Sequence, residues 1–84
     1  ALSDYHIYQQ KNHLIIEYRL NRPADCSFLL FDYTGRTISG RKAIKKPAGI
    51  NREEIPLDSS ITGECLLRFT VNKKVYGEKI IQKP

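Results

Sequence analysis

Apolar and polar residues alternate through "HLIIEYRL", residues 13–20. Leu14, Ile16, Tyr18 and Leu20 share one side, while His13, Glu17 and Arg19 share the other, with Ile15 the exception. A period of two marks a strand with one face in a core. The next run, "CSFLLFDY" from Cys26 to Tyr33, is apolar on both faces and rich in aromatics, which predicts a central strand. Residues 21–25 before it have turn composition, with Asn21, Pro23 and Asp25. In "ECLLRFTV" the alternation returns, with Cys65, Leu67, Phe69 and Val71 on the inward phase.

Weaker patterns fill the gaps. "TISGRKAI" predicts a strand after a Thr34-Gly35 turn, and "INREEIPL" an extended segment whose Pro56 suggests a sheet edge. Tyr5 to Gln9 supplies a first strand and "VYGEKIIQ" a last one, joined to its predecessor by the short "NKK" at residues 72–74. The only helix candidate is "DSSIT", one turn at most. Seven short strands at spacings of roughly 8 to 12 residues predict an all-β, immunoglobulin-like antiparallel sandwich. At 84 residues, with no internal repeat or low-complexity segment, residues 1–84 are expected to form one domain.

Composition narrows the class. Hydrophobic residues make up 40% and charged residues 27%, which is globular composition. The longest apolar runs, "LII" and "FLLF", are too short to span a membrane. The opening "ALSDYHIYQQ" has neither a basic start nor an apolar core, so no signal peptide is expected in it. Any export signal is then expected upstream or in the domain itself. The net charge of +5 raises the prospect of an acidic partner. The basic residues are scattered along the chain, however, and read as solvated strand faces and edge protection rather than as a binding stripe.

Reactive groups are sparse. His6 and His13 stand on separate strands with no carboxylate placed to orient either, so no catalytic residues are expected. The two cysteines and two histidines lack the paired spacing of a zinc site, so neither metal nor cofactor is expected. Glu53 and Glu54 are adjacent and point to opposite faces of a strand, and the five glycines each stand alone instead of forming a phosphate loop. Stacking of nucleic-acid bases would need aromatic and basic residues on one exposed face, whereas the five tyrosines fall on different strands and faces. No nucleic-acid partner is therefore expected. For Cys26 and Cys65 two readings stand side by side: a disulfide across the core, or two small buried apolar residues.

Three blocks occur in order. "FLLFDYTGR" carries Phe31, Asp32, Gly35 and Arg36; "PAGINREEIPLDSSITGECLLRFTVN" carries Gly49, Asn51, Ile55, Leu57 and Gly63; and "KKVYGEKIIQKP" carries Lys79, Ile80, Ile81 and Lys83. Together, from about Cys26 to Pro84, they resemble the C-terminal sorting domain of cargo of the type IX (Por) secretion system. The first block resembles that family's apolar-Asp-x-x-Gly-Arg hairpin, the second its Gly-x-Asn segment and later glycine turn, and the third its lysine and isoleucine ending. Where the family usually has Tyr two residues after that glycine, this chain has Cys65.

The resemblance implies a non-catalytic signal domain at the end of an upstream cargo in the same chain. It implies cargo passing from the periplasm through an outer-membrane translocon with its shuttle protein to the surface of a Gram-negative cell, where a sortase-like peptidase commonly removes the domain. It also implies that Asp32, Gly35, Arg36, Gly49, Asn51, Gly63, Lys79, Ile80, Ile81 and Lys83 form the recognised motif. The rival expectation is an immunoglobulin-like accessory module, retained after export, that binds a partner protein or a glycan.

Overall fold

The alternation at residues 13–20 becomes a strand, His13–Leu20, in the computed structural model, which describes residues 1–57 and 63–83. Among the described residues, seven strands follow in chain order: β1 (Leu2–Gln10), β2 (His13–Leu20), β3 (Ala24–Asp32), β4 (Thr37–Lys46), β5 (Gly49–Pro56), β6 (Gly63–Val71) and β7 (Lys74–Lys83). The "DSSIT" expectation lies outside the described residues, as do the side chains of residues 41, 43 and 77–83.

One sheet has the order β1-β2-β5 and the other β4-β3-β6-β7, and every pairing is antiparallel. This three-plus-four arrangement is an immunoglobulin-like sandwich with Greek-key crossovers. β3 is central because both of its faces are apolar enough to be covered: Cys26, Phe28 and Leu30 are fully buried, while Ser27, Leu29 and Phe31 on the outer face are half-buried. β5 is an edge, and its Pro56 has no ladder position to spoil on the open side.

The core lies between the sheets. Leu14, Ile16, Tyr18, Leu20, Ile55 and Leu57 face Ala24, Cys26, Phe28, Leu30, Cys65, Leu67, Phe69 and Val71. Phe28 stacks on Phe69 with centroids 5.2 Å apart, and Tyr18 tilts against both. Truncating either phenylalanine to Ala would cost about 3–5 kcal/mol. Ile15 is buried on the outer face, flanked in register by Tyr8 and Glu54. Polar contacts between described residues tie the sheets together along their open sides. Tyr5 on β1 donates its hydroxyl to the Tyr76 carbonyl on β7 at 2.8 Å, and Lys46 on β4 meets Glu53 on β5.

Local backbone follows the turn chemistry. Asn72 and Lys73 join β6 to β7 with φ of 49° and 71°, a two-residue turn whose twist suits a hairpin. Its Asn72 ties back to Asp25, donating its N–H to the Asp25 carbonyl and accepting the Asp25 N–H on Oδ1. In β4, a Cβ on Gly40 would stand 2.0 Å from the Phe28 carbonyl oxygen, so only glycine lets the two backbones approach there.

Register settles the cysteines. Cys26 pairs with Val71 and Cys65 with Asp32, so the two thiols sit on neighbouring strands of one sheet, six residues apart along β6. That is about 20 Å at roughly 3.3 Å per residue, far beyond disulfide reach. A Cys26–Cys65 bridge is therefore excluded, because both residues belong to the same sheet and do not face each other across the core.

Candidate functional site

The β3–β4 hairpin is built around one carboxylate. Asp32 closes β3, and its Oδ1 accepts hydrogen bonds from the Thr34 N–H at 2.9 Å, the Thr34 hydroxyl at 2.5 Å and the Arg36 N–H at 3.0 Å. The Arg36 Nε donates to Oδ2 at 3.2 Å. Backbone bonds close the same loop, from Asp32 N–H to Arg36 C=O and from Gly35 N–H to Asp32 C=O. Gly35 has φ of 92° with open space where a Cβ would be, so the glycine is needed for its backbone angle and not for room. The Thr34 hydroxyl is the main reason that the Asp32 carboxyl is held below its ordinary pKa; the backbone N–H groups of Arg36 and Thr34 and the Arg36 charge add to it, while partial burial works the other way.

Beside this turn lies an open groove of about 520 Å³, walled by Phe31, Tyr33, Leu66, Glu64 and Arg68. Tyr33 rides on the tip with 81% of its surface exposed, more than any other large hydrophobic described. The Arg68 guanidinium lies 5.4 Å from the centre of the Phe31 ring. Tyrosine and arginine on a rigid support are the residue types that anchor protein interfaces. The carboxylate holds the turn, and the turn presents the tyrosine.

The other motif residues divide between the two ends of the sandwich. Gly63 opens β6 at the Asp32 end, opposite Lys83, and Ile81 is in register with Cys65, the partner of Asp32. Lys79 and Ile80 follow along β7, opposite Leu67 and Leu66. Gly49 and Asn51 lie at the far end, where Gly49 pairs with Leu20, about 26 Å away along β3 at roughly 3.3 Å per residue. There the Asn51 side-chain amide donates to the Pro47 carbonyl at 2.9 Å and the Gly49 carbonyl at 3.3 Å, locking the β4–β5 crossover. The ten residues thus form a hairpin with its adjoining strand ends, plus a separate corner, and not one patch.

A second polar cluster was not foreseen as such. Glu53 is 5% exposed on the inner face of β5, with Lys46 Nζ 2.8 Å from Oε2 and the Tyr18 hydroxyl donating to the same oxygen at 3.3 Å. Burial, then the Glu53 charge, pushes the Tyr18 hydroxyl far above its ordinary pKa, so it stays a donor. Burial likewise raises the nearby Cys26 thiol. The signal was present in the sequence: Ile55 and Leu57 set an inward phase that counts back to Glu53. His6 and His13 are exposed, and among the described residues no three His, Cys, Asp or Glu side chains converge as a metal set.

No protein-family model, curated protein or solved structure matches the chain.

Proposed function

We propose that this domain is a folded sorting signal that takes an upstream cargo from the periplasm through a type IX outer-membrane translocon to the cell surface. The observation that carries the reading is the Asp32 hairpin. The same residues that resemble the family's first block, Asp32, Gly35 and Arg36, are the ones that lock the turn and hold Tyr33 over the groove. A signal that must be read after folding needs a surface of fixed shape, and a carboxylate with four donors supplies one. The shuttle protein is the proposed reader, and the sortase-like peptidase is proposed to act once the cargo has crossed.

The test is to fuse the chain to a periplasmic reporter in a bacterium with a type IX system. Removing residues 79–84 is expected to leave the reporter in the periplasm. Normal surface delivery of the truncated fusion would overturn the proposal. The exposed aromatic groove also supports the alternative of a retained module binding a partner or glycan, and intact domain on the mature surface protein would favour it.

A further inference from the structure

The fold gathers at one end basic residues that the sequence scatters. The 21–23 turn, the ends of β2 and β4, the 47–48 crossover and the β6–β7 turn meet at the Ala24 end of the sandwich. Exposed Arg19, Arg22, Lys45, Lys73 and Lys74 stand there, with Asp4 and Asp25 the acidic residues described beside them. Asp4 is in register with Arg19 and Asp25 with Lys45. Arg22, Lys73 and Lys74 therefore remain as a surplus of three positive charges out of a total of +5. The Asp32 end carries a smaller surplus, with Lys11, Arg36 and Arg68 against Asp32 and Glu64 among the described side chains.

The same end carries apolar residues in water. Pro47 and Ala48 form an exposed tip, and Ile50 just behind them is 74% exposed, the most exposed large aliphatic residue described. Val75, beside Lys74, is 47% exposed. A soluble polyanion would be held by the charges alone and gives no role to a bare isoleucine. An anionic lipid surface uses both: basic side chains meet the headgroups while an aliphatic tip enters the interface. Lys73 is further notable for standing at φ of 71°, a position where glycine or asparagine is less strained.

We propose that the Ala24 end is a docking surface for an anionic lipid bilayer, with Arg22, Lys73 and Lys74 on the headgroups and Pro47, Ala48 and Ile50 in the interface. This does not depend on the sorting reading, since it uses the end of the domain opposite the Asp32 hairpin.

The experiment is sedimentation of the 84-residue chain with phosphatidylcholine vesicles and with vesicles that also contain phosphatidylglycerol, using inorganic polyphosphate as the soluble competitor. Binding is expected to the anionic vesicles only, weakening with salt. Lys73 and Lys11 make a matched pair, since both occupy left-handed turn positions, at φ of 71° and 53°, at opposite ends. Lys73→Glu is expected to weaken binding by roughly tenfold or more, while Lys11→Glu changes it little. Ile50→Ser is expected to remove the part of the binding that survives high salt. Equal loss from both lysine reversals, equal binding to neutral vesicles, or binding to polyphosphate without binding to vesicles would overturn the proposal. A circular-dichroism melt of each variant separates lost binding from lost folding.

Discussion

Lys46 Nζ lies 2.8 Å from Glu53 Oε2 across the gap between β4 and β5, joining the two sheets by charge on a side where their backbones do not pair. The carboxylate is 5% exposed and the lysine 22%, so water screens the pair little. Once the strands bring a carboxylate that far inside, the neighbouring ammonium and the Tyr18 hydroxyl offset its desolvation.

Lys46→Met is expected to destabilise the domain by about 2–4 kcal/mol, because the buried carboxylate loses its ammonium. The double variant Lys46→Met with Glu53→Gln is expected to recover most of that loss, since neither charge is then left in the interior and the amide oxygen still accepts from the Tyr18 hydroxyl. Urea denaturation of the three proteins checks this. A double variant as unstable as the single one would show that the cost lies in packing and not in charge.

The Asp32 hairpin has a pH signature. Its carboxyl titrates below its ordinary value of 3.8 in the folded protein, so the ionised form is favoured by folding. The stabilisation is then fully present above pH 4 or so, and is lost as pH falls through the lowered value. The amide resonances of Thr34 and Arg36 are expected to move together in an acid titration with a midpoint below 3.8. A midpoint at or above that value would mean that the four donors do not favour the charged carboxylate.

Much of this architecture is legible in the residue order because strands report themselves by alternation. Leu14 to Leu20 and Cys65 to Val71 turn their apolar phase inward as read, β3 is central and Pro56 marks an edge. What alternation cannot give is which strands share a sheet. The disulfide reading of Cys26 and Cys65 fails there, since β3 and β6 are neighbours and not opposite walls, and the two are buried apolar residues instead. β1 and β4 extend beyond the segments expected, to Leu2 and Lys46, because ladder pairing with β2 and β3 carries the strand through polar residues that no pattern marks. The motif residues were legible as a series but not as two separate ends, which is a property of the register alone.

Two glycines separate strain from collision. Gly35→Ala is expected to cost about 1–2 kcal/mol, the price of a left-handed angle in open space. Gly40→Ala is expected to cost about 3 kcal/mol or more, because its Cβ meets the Phe28 carbonyl as well. Equilibrium unfolding ranks them. Equal losses would mean that β4 shifts away from β3 at little cost.

The cysteines give a test that needs no variant. With Cys26 and Cys65 buried and about 20 Å apart, native protein is expected to resist iodoacetamide. Protein denatured without reductant is expected to take up two labels. No uptake after denaturation would reveal a bond that the register forbids.

Tyr33 decides whether the hairpin is a surface that is read or only a support for the fold. Its side chain is 81% exposed, so Tyr33→Ala is expected to leave stability within about 0.5 kcal/mol of the parent. Asp32 keeps its bonds to Thr34 and Arg36 in that variant, and the turn survives. If the sorting reading is right and the groove is the contact, surface delivery of a fused reporter is expected to fall while its amount in the periplasm rises. Gly35→Ala differs, because any loss of delivery there follows a loss of stability. Unchanged delivery by Tyr33→Ala, with clear loss by Gly35→Ala, would place the role of the hairpin in folding and move the search for the recognised surface to β7.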